Sequence, residues 1–497
     1  MRICIINSGG TIMCTGQPLA PMPAADFAAA TRRLLQPALK AALPDLDLHF
    51  DTEPRFVSPS GTRDSTDLRP ADWCLIAGHV LKRYAEFDGF VILHGTDTME
   101  FSGAALPFLL NVVDPLGIGR AVLSKPVILT GAQLPLFRET AEGLVLNAGS
   151  DAFVNLAGAL ACTRLRLPEV ALFFAGRLWR GSRALKTSTT GFDAFESPHL
   201  PALAEAGIGV WHGSASPLPG PVSPEVALDH PDARRLAVAQ LRAIAAALPD
   251  HPVMQIPILP VDHRAPAALI PRLIDAAVAE GVKGIVIEGY GEGNVPAGDG
   301  AMERSLRQAD AAGVVIVICT RSIGGQVGQF HYAAGAWIAA TGAISGLDMT
   351  PVAAFAKLML LLAAADHHRW TPAILRALVR RNLVGECRDQ DRLPDAGVLR
   401  PGESLSGGGA VLFNDPETGP ELRGPDGHLI WSAGGPGRLE MRDGLRLIGP
   451  EGTRSTCSVP AQGAMLIVGA EGRPSLTLHD PAHRAAPVVV ADTDFRR

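Results

Sequence analysis

Two short segments each place a threonine directly after an apolar, strand-like run. Thr11 lies in Asn-Ser-Gly-Gly-Thr-Ile at residues 7–12, and Thr96 lies in His-Gly-Thr-Asp-Thr-Met at residues 94–99. In parallel α/β folds, ligands bind outside the carboxyl ends of the strands, where loops and helix N-termini supply backbone N–H groups. A threonine hydroxyl attacks efficiently only beside a base and a group that stabilises an oxyanion. The two segments therefore predict one active site with two hydroxyls, and other parts of the chain must complete it.

The surrounding sequence predicts a parallel sheet with crossover helices. Residues 72–86 repeat apolar side chains at helical spacing, with Pro70 near the start of the pattern. Continuous runs rich in Val and Ile are typical of strands that are buried on both faces. Such runs occupy residues 90–93, 126–129, 170–174, 284–287 and 314–318. Strands alternating with helices in this way indicate the α/β class.

Two changes in composition divide the chain. A segment rich in Pro, Ser and Gly occupies residues 213–224. From about residue 400, Asp-Gly and Glu-Gly pairs at 426–427, 443–444 and 471–472 separate short alternating runs, a pattern that predicts hairpins. We therefore predict an α/β domain at 1–212, a linker and insertion at 213–250, a second α/β domain at 251–385 and a β-rich accessory module at 386–497.

Composition favours a small-molecule partner. The 44 basic and 50 acidic residues leave a net charge of −6, and no basic stretch with interleaved aromatic residues is present, so nucleic acid is not expected as a partner. The most apolar segment, 351–365, contains Lys357 and is too short to span a membrane, so we predict a buried helix there. The chain starts without an export-signal pattern, and its seven cysteines are scattered, which favours a reducing cytoplasm. We expect no metal and no cofactor.

Several further motifs occur in order along the chain. They lie at residues 64–67 (Asp-Ser-Thr-Asp), 129–135 (Leu-Thr-Gly-Ala-Gln-Leu-Pro), 180–189, 289–296 and 341–350. Together with the two threonine segments, they make the chain similar to the bacterial-type L-asparaginases over about residues 1–370. Residues 64–65 and 88–94 resemble the cytoplasmic type I branch. The resemblance implies a two-domain asparaginase-like α/β fold, to which the β-rich module is added.

The resemblance also implies the catalytic roles. Thr11 would be the nucleophile, Thr96 the second catalytic hydroxyl, Lys186 its base, and Asp97 the charged partner of Lys186 and of the substrate ammonium. This set matches the chemistry, because amide hydrolysis needs an attacking hydroxyl, a proton acceptor and stabilisation of the tetrahedral oxyanion.

Recognition of a short amino-acid amide needs opposite polarities close together. By resemblance, Ser65 and backbone N–H groups bind the α-carboxylate, and the Ala132 carbonyl lies near the leaving amide nitrogen. Asn294 matches a position that approaches the pocket from a neighbouring subunit, which implies a homo-oligomer, a dimer or a tetramer. The implied substrate-binding residues are Asp64, Ser65, Thr66, Gly95, Ala132 and Asn294.

The loop after the nucleophile departs from the family pattern. Relatives usually carry a tyrosine there, whereas residues 13–22 contain none, and the chain has tyrosine only at positions 84, 290 and 332. The hydroxyl that assists Thr11 is therefore missing or comes from elsewhere, and Thr15 is a candidate.

The resemblance implies hydrolysis of L-asparagine to L-aspartate and ammonia through a covalent acyl-enzyme. Three alternatives stay open at this point. The chain could be a glutaminase or another ω-amidase, an ammonia-releasing amidotransferase subunit, or an amino-acid or glycan sensor that has lost turnover. The missing tyrosine and the β-rich module motivate the last alternative, and a stabilising or oligomerising module is the simpler interpretation of that region.

Overall fold

The computed structural model describes residues 1–58, 60–328, 336–389, 391–393, 397–407, 410–424, 427–442, 444–449, 452–457, 464–469, 475–480 and 485–490. Tyr332, Asp426, Asp443 and the 471–472 pair, which the sequence analysis singled out, lie outside the described residues. The α-helices within the described residues are α1 (Ala24–Leu34), α2 (Gln36–Ala42), α3 (Pro70–Arg83), α4 (Met99–Leu110), α5 (Ala152–Cys162), α6 (Pro231–Ala247), α7 (Leu269–Ala279), α8 (Ala301–Ala311), α9 (Pro351–His368) and α10 (Pro372–Arg380).

Strands of three regions follow one another along the chain. The first region contains β1 (Arg2–Asn7), β2 (Cys14–Thr15), β3 (Ala20–Pro21), β4 (Asp47–Asp51), β5 (Gly89–Leu93), β6 (Val112–Val113), β7 (Gly119–Ala121), β8 (Val127–Thr130), β9 (Phe137–Thr140), β10 (Gly143–Leu146), β11 (Val170–Phe174), β12 (Arg177–Arg180), β13 (Leu185–Lys186), β14 (Phe195–Glu196), β15 (Ala204–Ala206) and β16 (Val210–His212). The second contains β17 (Val253–Pro257), β18 (Gly284–Gly289), β19 (Val315–Thr320) and β20 (Ile344–Ser345). The third contains β21 (Arg392–Leu393), β22 (Val398–Leu399), β23 (Ser404–Gly407), β24 (Ala410–Asp415), β25 (Gly419–Arg423), β26 (Leu429–Ser432), β27 (Arg438–Met441), β28 (Leu445–Gly449), β29 (Gly452–Cys457), β30 (Met465–Val468), β31 (Leu476–His479) and β32 (Val488–Val489).

An eight-stranded sheet positions the predicted site. Its strand order is β16-β15-β12-β11-β8-β5-β1-β4, and β4, β1, β5, β8 and β11 are parallel. Because β1, β5 and β8 are neighbours, the loops after their carboxyl ends meet at one edge of the sheet. These are the loops that carry Thr11, Thr96 and Ala132. The prediction of a mainly parallel α/β fold is confirmed.

Burial on both faces explains why the strands appear as continuous apolar runs. All five residues of β5 and all five residues of β11 are buried between helical layers. A second, four-stranded parallel sheet has the order β17-β18-β19-β20. The apolar segment predicted as a buried helix forms α9, in which Lys357 is fully buried and pairs with Glu386 at 2.6 Å. Within the described residues, no helix combines the length and the hydropathy needed to cross a membrane.

The predicted linker and insertion at 213–250 includes a helix. It contains α6, whose buried residues include Ala237, Leu241 and Ile244, and this helix packs against α3 and α9. The boundaries at 212, 250 and 385 stay predictions.

The described residues after 391 form three antiparallel sheets of four strands each. Their orders are β21-β30-β31-β32, β22-β27-β28-β29 and β23-β24-β25-β26, and they share one apolar core that includes Leu412, Trp431, Leu447 and Leu478. Each sheet combines three consecutive strands with one strand from residues 392–407. The predicted C-terminal β-rich region is therefore present.

Candidate active site

Two glycines before Thr11 allow its loop to approach its neighbours closely. Gly9 and Gly10 have φ angles of 119° and 87°. A Cβ atom on Gly10 would lie 2.2 Å from the Cα of Gly95, and one on Gly9 would lie 2.0 Å from the carbonyl oxygen of Arg63. Positive φ and this backbone contact both require glycine. The Gly-Gly pair thus brings the Thr11 loop against the loop that carries Thr96.

The second loop joins its threonine to a lysine from a distant part of the chain. The Lys186 amine donates to Thr96 Oγ1 at 2.9 Å and to Asp97 Oδ1 at 2.6 Å. The Lys186 side chain is 13% exposed and that of Asp97 is 55% exposed, whereas Thr96 is buried. The structure therefore brings three of the four predicted catalytic residues into direct contact. The cluster offers a hydroxyl, an amine and an open carboxylate at one position.

A short turn places Ser65 beside this cluster. Asp64 begins a 3-10 turn at Ser65–Asp67, and its carboxylate accepts from the backbone N–H and the hydroxyl of Thr66, both at 2.9 Å. The Thr98 hydroxyl donates to the Ser65 carbonyl at 2.8 Å. A Cβ on Gly95 would lie 2.4 Å from Ser65 Oγ, so the serine side chain packs directly on the glycine of the Thr96 loop.

The loop after β8 contributes Ala132 and a residue that the sequence analysis did not assign. The Asp151 carboxylate accepts from the backbone N–H of Gln133 at 3.0 and 3.1 Å, which fixes the loop beside buried Ala132. The Gln133 side chain lies 3.4 Å from Thr96 Oγ1 and donates to the Gly191 carbonyl at 3.1 Å. Its position in the 129–135 motif, three residues after the end of buried strand β8, was the available signal.

His94 stabilises the Thr96 loop from the buried side. It is fully buried, with Nδ1 2.7 Å from the Gly95 carbonyl oxygen and Nε2 2.8 Å from Ser102 Oγ. The carbonyl can only accept, so Nδ1 carries the proton and Nε2 accepts from the serine. Burial lowers the pKa of His94 to about 4, and the ring is neutral at pH 7.

A second carboxylate that the sequence analysis missed contacts the lysine from the other side. Glu100, in the first turn of α4, accepts a hydrogen bond from the backbone N–H of Lys186. Burial raises the pKa of the Glu100 carboxyl. Glutamate in the first turn of a helix is common, and nothing in the local sequence pointed to a partner 86 residues away.

Thr11, Thr15 and Asn294 lie outside the hydrogen-bonded cluster. Thr11 begins a 3-10 turn, Thr11–Met13, and is partly exposed. Thr15 is half-buried in the short β2–β3 hairpin, where it pairs with Ala20. Asn294 closes a turn on Tyr290 in the second α/β region. Within the part of the chain that the structure describes, no hydrogen bond or ion pair joins Asn294 to the Thr96 cluster.

One group elsewhere has the side-chain types of a metal site. Ligand atoms of Asp51, Glu53 and His79 lie within 4.8 Å of one another. The Arg83 guanidinium is already 3.2 Å from Asp51, and the Lys82 amine is 2.7 Å from Glu53. These side-chain cations already neutralise the two carboxylates, so the group fits a structural charge network better than a metal centre.

Family models and known relatives match most of the chain. A family model described as "Asparaginase, N-terminal" covers residues 2–216, and one described as "Glutaminase/Asparaginase C-terminal domain" covers residues 265–373. L-asparaginase 1 from Escherichia coli K12 is 31% identical over 390 residues, which is 78% of this chain and 98% of the relative. A glutamyl-tRNA(Gln) amidotransferase subunit from Aeropyrum pernix is 31% identical over 400 residues, covering 78% of this chain and 80% of the relative.

A solved structure shares the fold. L-asparaginase I from Vibrio cholerae superimposes with a TM-score of 0.58 at 29% identity, over 78% of this chain and 99% of that one. It and the Escherichia coli relative are type I proteins, in agreement with the branch that the sequence motifs resemble.

Proposed function

Since this chain belongs to the asparaginase family of amidohydrolases, we propose that it hydrolyses L-asparagine to L-aspartate and ammonia through an acyl-enzyme on Thr11. The observation that carries this proposal is the contact of the Lys186 amine with Thr96 Oγ1 and Asp97 Oδ1 beside the Thr11 loop. A hydroxyl supported by an amine is the arrangement that threonine-based acyl transfer needs.

In the first step, Thr11 Oγ1 attacks the side-chain carbonyl carbon of asparagine. The hydroxyl proton leaves to a base, the carbon–nitrogen bond breaks, and the departing nitrogen takes a proton and leaves as ammonia. The Ala132 carbonyl accepts from the amide nitrogen and so orients the leaving group. Backbone N–H groups of the loops at this sheet edge stabilise the oxyanion, in keeping with their position outside the strand ends.

In the second step, water attacks the ester on Thr11. The neutral form of Lys186 accepts a proton from Thr96, whose oxygen in turn takes one from the water. The ester bond breaks, the proton taken up by Lys186 passes to the departing Thr11 oxygen, and L-aspartate leaves, so the Thr11 hydroxyl and the neutral amine are both restored. This relay uses the 2.9 Å contact between the lysine amine and the threonine hydroxyl, and it needs no tyrosine. Thr15, in the hairpin after the nucleophile, is the candidate hydroxyl for the first step.

Substrate recognition uses opposite charges on two loops. Asp97, which is largely open to solvent, binds the α-ammonium of the substrate. Ser65 and neighbouring backbone N–H groups bind the α-carboxylate, Asp64 fixes the turn that carries Ser65, and Thr66 and Gly95 form the adjoining wall. Asn294 of a second copy completes the pocket in a homo-oligomer, a dimer or a tetramer.

Ammonia release from asparagine tests the proposal. Thr11→Ala should abolish turnover, and Lys186→Met should lower kcat by about 10²- to 10⁴-fold, the range for removal of an acid–base group. Lys125→Met is a matched control, because Lys125 also pairs with an aspartate, Asp229 at 2.7 Å, but lies at the amino end of β8. Mass spectrometry of acid-quenched enzyme should find the ester on the peptide that contains Thr11. Equal ammonia release by wild type, Thr11→Ala and Lys186→Met would refute the proposal.

Glutamine is a second candidate substrate, because the C-terminal family model covers glutaminases as well as asparaginases. One methylene group in a pocket is worth about 1–3 kcal/mol, or about 10- to 200-fold in kcat/KM. The ratio of kcat/KM for asparagine to that for glutamine decides between them. Because one relative is an amidotransferase subunit, ammonia release should also be measured with and without tRNA. We expect no dependence on tRNA, since a net charge of −6 disfavours tRNA binding.

We also propose that the protein works in the cytoplasm. The structure holds all seven cysteines as buried thiols, a state that a reducing compartment maintains.

A further inference from the structure

We propose that Glu100 is a positioning residue for Lys186, holding the lysine backbone at the distance from which its amine reaches Thr96. The inference rests on the proposed function and names a residue outside the set on which that function depends.

The Thr96 loop and the helix that follows it together hold the lysine at both ends. At the side-chain end, the amine contacts Thr96 and Asp97, which precede α4. At the backbone end, the Lys186 N–H donates to the carboxylate of Glu100, in the first turn of the same helix. Thr96, Asp97 and Glu100, which lie within five consecutive residues, therefore hold both the amine and the backbone of Lys186.

The strand that carries Lys186 has little other support from the main sheet. Among the residues that the structure describes, β13 pairs only with β14, as a ribbon of two residues on each strand, and it lies outside the eight-stranded sheet. The ribbon is fastened at its other strand, where buried Phe195 packs on Phe174 with ring centroids 5.1 Å apart. Loss of the Glu100 contact would therefore loosen the lysine backbone without removing the ribbon's apolar anchor.

The chemistry of a lysine base makes this restraint important. Its side chain has four flexible methylene groups, so a hydrogen bond to the amine alone does not determine where the backbone lies. A misplacement of about 1 Å in a catalytic group lowers the rate by about 10²-fold. A partly buried carboxylate that accepts a backbone N–H forms a strong hydrogen bond, because the acceptor is charged. Glu100 can thus keep the amine in place through many turnovers.

Three variants separate this role from a general effect on α4. Glu100→Ala removes the acceptor, and Glu100→Gln keeps an oxygen that can accept the same N–H but removes the charge. Glu196→Ala is the matched control, because Glu196 is an exposed carboxylate on β14, opposite Leu185 in the same ribbon. It removes one charge from the ribbon and leaves the Lys186 N–H untouched.

We expect Glu100→Ala to lower kcat for asparagine by about 10- to 100-fold, with KM changed by less than about twofold. Glu100→Gln should restore most of the lost kcat, and Glu196→Ala should behave as wild type. A second readout needs no turnover: the Lys186 amine, released from Thr96 and Asp97, should react faster with an acylating reagent in Glu100→Ala than in wild type, as measured by peptide mass spectrometry.

Several results would overturn the inference. One is a Glu100→Ala variant with wild-type kcat and only a lower melting temperature, which would mean that Glu100 merely stabilises the end of α4. Another is a variant in which KM alone rises. If wild type releases no ammonia, the proposed function fails, and the labelling rate still decides this inference: equal labelling of Lys186 in wild type and Glu100→Ala refutes it.

Discussion

Gly95→Ala tests whether close packing of three loops creates the site. Gly95 lies between Gly10 of the nucleophile loop and Ser65 of the carboxylate-binding turn. An added Cβ would lie 2.4 Å from Ser65 Oγ, 2.6 Å from Ser65 Cβ and 3.1 Å from Gly10 Cα. Carbon atoms in contact are ordinarily about 3.5–4.0 Å apart, so one of the loops must move by about 1 Å.

That displacement has two measurable consequences. Overpacking of this kind costs about 1–3 kcal/mol in the free energy of unfolding. A 1 Å shift between the Thr11 and Thr96 loops should lower kcat/KM for asparagine by about 10²-fold. Denaturant titration measures the first effect and steady-state ammonia release the second.

Two further variants make the test specific. Gly324→Ala is the control, because a Cβ at that position meets no atom within 4 Å. Combining Gly95→Ala with Ser65→Gly removes both contacts shorter than 3 Å, so stability should return, whereas kcat/KM should stay low because the serine hydroxyl is missing. Wild-type stability and wild-type kcat/KM in Gly95→Ala would refute the packing argument.

Three other predictions concern buried ionisable groups. Because burial lowers the pKa of His94 to about 4, the unfolded chain binds a proton there more readily, and stability should fall by about 2 kcal/mol as the pH drops from 6.5 to 5; denaturant titrations should show this slope in wild type and not in His94→Gln, and equal slopes would contradict the assignment. Burial raises the pKa of Asp389 to about 6, so this carboxyl lowers stability as the pH rises from about 4 to 6; Asp389→Asn should be more stable than wild type by up to about 3 kcal/mol at pH 7.5 and no more stable below pH 4. Lys357→Met should cost about 3–5 kcal/mol, because it leaves Glu386 buried without its 2.6 Å partner; adding Glu386→Gln, whose amide oxygen still accepts from backbone N–H groups, should recover part of that loss, and a double variant no more stable than the single one would argue against charge as the cause.

Much of the framework follows from local sequence. Strand β11 coincides with the predicted run at 170–174, and β5 and β8 lie within about one residue of the predicted bounds, because strands buried on both faces must be apolar throughout. Helix α3 begins at Pro70, where the sequence pattern put the start of a helix, and it ends at Arg83, three residues before the end of the pattern. The motifs that resemble the asparaginase family also predicted which residues at the carboxyl ends of these strands belong to the site.

Tertiary structure alone decided which of those residues meet. Lys186 reaches Thr96 across 90 positions because the strand that carries it, β13, packs against α4. The Thr11 and Thr96 loops meet because β1 and β5 are neighbours in the sheet and because glycines allow their loops to touch. The same geometry brought Gln133 and Glu100 to the site, although each alone is an ordinary polar residue. Hydrophobic period and turn signals report on a few consecutive residues, whereas these contacts depend on how distant strands and helices pack. The sequence by itself therefore determined the elements and the candidate groups, and packing decided the distances between them.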